Sequence, residues 1–405
     1  VTDDRQAPSR RSLLGLGLIN FFAADVQGGL GPYLTVYLTV HGWDGLQIGR
    51  ALAASAAALA LAQLPAGLIV DRFRIKRAMV IGAALGIAIA SLVIARFADY
   101  WPVIGAQIVL GAGSAVLPCA ISAITLGLVG PKAMADRTAR NETVNHVGSF
   151  VAASLTGLCG QLLGIGWIFA LICGFSIASL ASTLMVRPDE IDHEQARGGG
   201  ENGRPVPLGK VFLRPDILAF LTSIALFFFA NAAMLPLAGQ ALTLTHPKGD
   251  LLALSGCVVA AQVVMAGAAF CVGRALDRGV SRRVLWLAGF AVLPLRGLLF
   301  AWAVHGGLSI PGVIAIQLLD GVASGIFSVT SVVIAADLTQ GTGRFNVTLG
   351  FVALCMAGGS MFSNLLSGEV VERYGFSNTY LVFAAVSVVA LLVTALTVRD
   401  SRRDA

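Results

Sequence analysis

The chain has 405 residues, of which 56% are hydrophobic and 12% charged, and its mean hydropathy is +0.81. Apolar runs of about twenty residues recur along nearly the whole length, matching a hydrocarbon layer about 30 Å thick, so a water-soluble globular chain is excluded. The net charge of +6 lies in short clusters between those runs, which also excludes intrinsic disorder and a broad nucleic-acid-binding face.

Residues 1–13 read as a short basic tail. The first apolar run, 14–40, continues past Asp25 without a signal-peptide cleavage site, and is predicted to be a membrane helix. Further helices are predicted at 46–70, 78–97, 101–126, 143–164 and 166–186, the last two joined by a tight turn at Gly164 and Gly166. A polar stretch from Arg187 to Asp216, with four prolines and three consecutive glycines, is too poor in large apolar side chains to form a core and reads as a linker. Six more helices follow at 217–240, 251–273, 284–303, 310–335, 346–367 and 378–398, before a tail at 399–405. The expected fold is therefore an all-α membrane protein, with six-helix bundles over 14–186 and 217–398 joined by a linker over 187–216.

With the amino terminus in the cytoplasm, 23 of the 28 Lys and Arg residues fall on that side. This is the asymmetry of a positive-inside chain with an even number of spans, and places both termini inside a bacterial cytoplasmic (inner) membrane. The six cysteines all sit in apolar segments without a Cys-x-x-Cys pair, and read as small buried hydrophobes rather than as a disulfide or metal set. No cofactor, metal or catalytic constellation is expected, and no phosphate-binding GxxxxGK[ST] loop supports ATP-driven pumping. The chain is read as a non-enzyme.

The two halves repeat. Phe21 to Asp25 matches Phe227 to Asn231 at an offset of 206, and Gly67-Leu-Ile-Val-Asp71-Arg72 matches Gly273-Arg-Ala-Leu-Asp277-Arg278 at the same offset, with Arg77 on Arg283. Further along, Gln107 to Gly111 matches Gln317 to Gly321 at an offset of 210. Six helices repeated in one orientation imply two bundles related by a pseudo-twofold axis along the membrane normal, with a cavity between them.

Gly67, Asp71, Arg72, Lys76 and Arg77 resemble the signature between the second and third helices of the major facilitator superfamily, although Arg74 stands where that family usually has a second glycine. The resemblance covers essentially the whole chain. It implies a secondary transporter that works by alternating access, functions as a monomer, and lines its cavity with the tenth helix while the ninth is peripheral. Gln107 occupies the place where many proton-coupled relatives carry arginine. The glycine-proline pair of many drug/proton antiporters is also missing from the fifth helix, where Gly148, Ala152, Thr156, Gly160 and Gly164 form a small-residue stripe instead.

Ionisable groups deep in lipid are functional candidates because they are costly there. Asp25 in the first helix, followed by Gln27 and a Gly/Pro-rich stretch that bends or opens it, is a candidate for proton coupling or substrate contact. Arg296 and Asp320 fall at matching depths in the ninth and tenth helices, as a structural ion pair, a gating pair or a substrate contact. His146 stands beside Glu142 and Asn145 as a proton relay or a plain polar contact. Asn20, Tyr33, Tyr37, Gln107, Asn231, Gln240, Gln262, Gln317 and Asn364 are candidate cavity-lining residues. With Phe21, Phe22 and Phe227 to Phe229, several of them suggest a mixed aromatic and polar pocket. The repeated motif, Gly67 to Arg77 and Gly273 to Arg283, together with Asp337 and Arg344, suits an inner gate.

The expected partners are a small-molecule substrate, protons as the coupling ion and membrane lipid, with no nucleic acid. The apolar pocket favours efflux of an amphipathic solute, with proton-coupled uptake of a nutrient, sugar, carboxylate or siderophore-like solute as the alternative and a non-transporting receptor as a remote one.

Overall fold

A computed structural model describes residues 8–28, 30–193, 196, 207–245, 251–307, 309–339, 342 and 345–400; within its helices the side chains of 25–28, 30–32, 71, 72, 131, 132, 134–136, 139, 245, 251–254, 277, 345 and 346 lie outside the description.

The first half begins with α1 (Arg10–Gly28) and α2 (Leu30–Val40), the hydroxyl of Ser9 capping α1 through the Ser12 N–H at 3.2 Å. Next comes α3 (Gly45–Arg72), where Asp44 and Gln47 form a reciprocal capping box. Then follow α4 (Lys76–Arg96), α5 (Tyr100–Leu163) and α6 (Trp167–Met185). After a 3-10 turn at Pro188–Glu190, the second half comprises α7 (Leu208–Phe212), α8 (Pro215–Asn231), α9 (Met234–Thr245), α10 (Leu251–Asp277), α11 (Arg282–His305), α12 (Ile310–Thr339) and α13 (Phe345–Thr397).

Two of these helices are hairpins in disguise. Gly130 at φ 71° divides α5, and Gly375 at φ 76° divides α13, each reversing the chain at a backbone angle that a side chain would strain. Conversely, α8 and α9 make one interrupted crossing, and α1 and α2, which flank residue 29 outside the described residues, together make another. Among the described residues this gives twelve crossings. The polar turn expected around 127–142 is helical from 131 onward, because one glycine suffices for the reversal and the polar residues then extend the next helix beyond the lipid.

The repeat recurs as packing. A Cβ on Gly111 would collide with the Ser55 carbonyl and lie 3.1 Å from Ala58 Cβ; a Cβ on Gly321 would lie 2.5 Å from the Ala261 carbonyl and 2.9 Å from Val264 Cβ. Ser55 and Ala58 map onto Ala261 and Val264 at an offset of 206, and Gly111 onto Gly321 at 210. The same glycine-dependent approach of α3 to α5 is thus built again between α10 and α12.

The beginning of the linker folds onto the first half. The Asp192 N–H donates to the Gly127 carbonyl at 2.9 Å, Ile191 and Ala196 are buried, and both the N–H and hydroxyl of Ser9 donate to Glu190 Oε2 at 3.0 Å.

Between the halves, α3 packs on α13, α5 on α10, and α2 on α9. At the face opposite the termini this contact is tight. A Cβ on Gly45 would collide with Val371, one on Gly49 would lie 2.6 Å from the Asn364 carbonyl, and one on Gly368 would lie 2.7 Å from the Gly45 carbonyl. The Gly45 N–H donates to Glu372 Oε2 at 3.2 Å, and the hydroxyls of Tyr33 and Ser255 lie 2.7 Å apart. What remains between Thr35, Gly49, Gln240 and Ser367 is a cavity of about 10 Å³, at the lower limit for a single water. The structure is closed on that face.

Candidate functional site

The site is assembled where α8 gives way to α9. The helix stops at Asn231 and resumes at Met234, which frees backbone groups inside the second half. They are satisfied by neighbours: the Ala233 N–H donates to Ser363 Oγ at 3.1 Å, and the Tyr380 hydroxyl donates to the Met234 carbonyl at 3.1 Å. Such an interruption at membrane depth is tolerated where protein covers it.

Four side chains from three crossings meet at this break. Arg296 of α11, at the depth expected from its spacing, reaches Asp320 Oδ1 of α12 with Nη1 at 3.0 Å. Two amides bridge the pair on either side. Asn231 accepts from Arg296 Nη1 and donates Nδ2 to Asp320 Oδ1 at 2.9 Å. Gln317 accepts from Arg296 Nη2 at 2.8 Å and donates Nε2 to Asp320 Oδ2 at 2.9 Å. The result is a doubly bridged ion pair, with the Arg296 guanidinium also 5.5 Å from the centre of the Phe300 ring.

The two charges are not equally enclosed. Arg296 has a side-chain exposure of 1%, Asp320 of 20%. A guanidinium so deeply buried requires its countercharge, since it cannot shed its proton. Asp320 is the open member of the pair and, as a carboxylate, can only accept hydrogen bonds there.

The other candidates divide by location. The side chains of Asp25, Gln27, Asp71, Arg72 and Asp277, and the whole of Arg344, lie outside the described residues. Gln107, which matches Gln317 in the repeat, is buried at 2% exposure with no partner for Nε2. Asn20 is buried, donating to the Leu16 carbonyl at 2.8 Å, and its own carbonyl accepts from Asn145 Nδ2 at 3.2 Å. His146 is exposed. Gln240 lines the small closed-face cavity, Asn364 is buried beside Gly49 with Nδ2 on the Ser360 carbonyl, and Gln262 is half-buried on α10.

Tyr37 corrects the expectation of an aromatic pocket. Its hydroxyl donates to the Ile94 carbonyl at 3.0 Å and its ring packs on Phe169, because an aromatic with a polar tip is as well satisfied inside the bundle as beside a cavity. Phe227 is likewise core, stacked with Phe327 and edge-on to Phe290, while Phe21 and Phe22 pack on Phe175.

The motif arginines serve their own halves. Arg77 Nε donates to the Thr183 carbonyl at the end of α6 at 3.4 Å, and Arg283 Nη2 to the Ala395 carbonyl near the end of α13 at 2.6 Å. Each meets the negative end of a helix. Asp337 pairs with Arg282 Nε at 2.7 Å, and Lys76 is fully buried with Nζ 3.4 Å from the Phe73 carbonyl. Arg278 is exposed. Gly67 and Gly273 have open space where a Cβ would stand. Sequence reasoning did not single out Ser363, Tyr380 or Ser255, since a serine or tyrosine in an apolar run carries no pattern that tells which carbonyl or N–H it meets across the bundle.

Two repeated six-helix bundles, closed at one face and holding a hydrogen-bonded ion pair at a broken helix, define a multi-pass membrane carrier of small solutes. The family model of the Major Facilitator Superfamily matches residues 16–309 and 252–405. Two uncharacterized MFS-type transporters of Mycobacterium tuberculosis, MT2531 and Rv2456c, are each 38% identical over 378 residues, covering 92% of this chain and 89% of theirs. Among solved structures, the nucleoside transporter NupG superposes with a TM-score of 0.74 at 15% identity, over 96% of this chain and 99% of that one. A D-xylose-proton symporter gives 0.72 at 14%, over 97% of each chain, and a POT family transporter gives 0.75 at 13%, over 95% and 96%. The chain belongs to the Major Facilitator Superfamily, and is a non-enzymatic transporter that moves a small solute by secondary active transport.

Proposed function

We propose that the protein is a proton-coupled importer of a small polar nutrient, working as a monomer in a bacterial inner membrane with both termini in the cytoplasm. The observation that carries this reading is the doubly bridged Arg296–Asp320 pair at the interrupted crossing α8–α9. It sets a partly open carboxylate and a buried guanidinium deep in the membrane, where ionisable groups mark solute pathways and proton relays. Asp25, at the position of α1 that matches Asn231 in the repeat, is the second proton-carrying candidate, about 22 Å from the start of α1 at 1.5 Å per residue.

Uptake is preferred to efflux for a physical reason. Tyr37, Phe21, Phe22 and Phe227, four of the aromatic side chains that suggested an amphipathic pocket, are packed within the two bundles, and polar groups gather at the interruption between α8 and α9. The folds superposing on this one also include two carriers described as a nucleoside transporter and a D-xylose-proton symporter. With the termini in the cytoplasm, the closed face is the outer one.

The test is transport in proteoliposomes with an imposed pH gradient, acid outside. Asp25→Asn or Asp320→Asn is expected to abolish gradient-driven accumulation while solute exchange at equal pH survives in at least one of them. Accumulation that ignores the pH gradient in the unmodified protein would refute proton coupling.

A further inference from the structure

We infer that the transported solute is uncharged and is recognised through hydroxyl or N–H donors by the open edge of Asp320, so that Asp320 is a specificity-determining residue as well as a charge. This rests on the proton-coupled uptake reading and narrows its substrate class.

Three observations carry it. The first is enclosure. Arg296 is the cation nearest to hand for an anionic solute, yet it is 1% exposed, and both of its terminal nitrogens are engaged by Asn231, Gln317 and Asp320. Its Nε has no partner, but that atom is itself buried. A carboxylate arriving from the cavity could reach this guanidinium only by dismantling all three partners.

The second is polarity. Asp320, at 20% exposure, and Asn231 are the members of the ring with surface left, and of these Asp320 carries the charge. Its oxygens already accept from Arg296, Asn231 and Gln317, and a carboxylate retains further lone-pair sites on its open edge. What that edge can bind is a donor.

The third is charge balance. Within the twelve crossings the deeply placed ionisable residues are Asp25, Arg296 and Asp320, the other charged residues lying towards helix ends. Their sum is −1. One proton brings it to zero and leaves the ring intact, so a neutral solute and one proton together form the loaded state without uncompensated charge in lipid. An anionic solute would restore the deficit, at several kcal/mol for a charge at mid-membrane. A cationic solute would take the place of the proton and so abolish coupling.

The experiment uses the purified full-length protein and matched families of probes: neutral aldoses, polyols and ribonucleosides, the corresponding uronates and aldonates, and the amino sugars. Thermal stabilisation measures binding, since a ligand that binds only the folded state raises its unfolding temperature. The expected result is stabilisation by a neutral member at neutral pH, with neither its acid nor its amine effective. Asp320→Asn should weaken that binding on the order of tenfold or more, the loss of one charge-assisted acceptor. Because Asp320→Asn leaves Arg296 unbalanced and can impair folding, the Arg296→Gln/Asp320→Asn double variant provides the neutral control. Weak binding in the double variant supports the assignment, while undiminished binding of the neutral probe would overturn Asp320 as its acceptor. Preferential stabilisation by an acid or an amine, or by no neutral probe, would overturn the substrate class. A neutral probe that binds and is taken up regardless of the pH gradient would instead refute proton coupling and leave this inference standing.

Discussion

The doubly bridged pair makes an asymmetric prediction about its two ends. Asp320→Asn removes the countercharge of a guanidinium that is 1% exposed and turns an amide N–H towards donors that now have too few acceptors. Breaking a buried pair in this way costs about 3–5 kcal/mol. Arg296→Gln leaves a carboxylate that is 20% exposed, still accepts from Asn231 and Gln317, and can neutralise itself by taking a proton. Its cost is expected nearer about 1–3 kcal/mol, that of unsatisfied polar groups. The double variant Arg296→Gln/Asp320→Asn removes both charges and should be more stable than Asp320→Asn alone, giving a coupling energy of about 2 kcal/mol in a double-mutant cycle. The assay is reversible unfolding of the three variants and the parent in mixed micelles, read by tryptophan fluorescence, because Trp286 lies fully buried in the same half. If Arg296→Gln proves the more damaging single change, or the double variant is as unstable as the sum of the two singles, the ring is not held together by charge compensation and the reasoning fails.

Further predictions test the fold around the site. Gly49→Leu or Gly368→Leu inserts a side chain where a Cβ already meets backbone within 2.6 Å and 2.7 Å, so each should prevent closure of that face and raise labelling of a cysteine placed at Leu52 by an impermeant thiol reagent. A Cβ at Gly67 or Gly273 meets no atom within 4 Å in this state; Gly67→Ala and Gly273→Ala should leave thermal stability unchanged yet slow transport, if these positions close up in the other state of the cycle. Ser363→Ala leaves the Ala233 N–H of the interrupted crossing unpaired and should cost about 1–3 kcal/mol by the same unfolding assay. At Glu190, burial pushes the carboxyl up, but hydrogen bonds from Ser12 and Ser9 and the nearby Arg187 outweigh it and hold the group below the ordinary range. A carboxyl depressed in the folded state contributes above its unfolded value and loses that contribution as pH falls through the folded one. By the same unfolding assay, Glu190→Gln should therefore be less stable than the parent at neutral pH, and the gap between the two should close as the pH falls.

What could be read from the chain follows from how locally each feature is encoded. Helix positions came from runs of apolar residues, which depend on nothing but the lipid, and the repeat came from identities at fixed offsets that reappear as the paired approaches at Gly111 and Gly321. The matching depths of Arg296 and Asp320 followed from helical rise alone, and the structure brings the two within 3.0 Å. Depth along a helix is a one-dimensional quantity; direction around it is not. Tyr37 and Phe227 had suitable depth for a cavity but turn into the bundle cores, and no periodicity separates those directions in crossings that are apolar on every side. The same ambiguity hid Ser363 and Tyr380, whose importance arises only because α8 stops at Asn231 and exposes backbone groups beside them. The amides were legible in a different way. Asn231 and Gln317 were marked by the repeat, opposite Asp25 and Gln107, and in the second half they prove to be the two bridges of one ion pair. In the first half the glutamine is present without that ion pair, its Nε2 buried and unpartnered. The duplication thus kept the glutamine on both sides, set a carboxylate at Asp25 where the second half has the Asn231 amide, and placed the arginine on one side only, so the two halves are chemically unequal, as the proposed division of proton and solute between them requires.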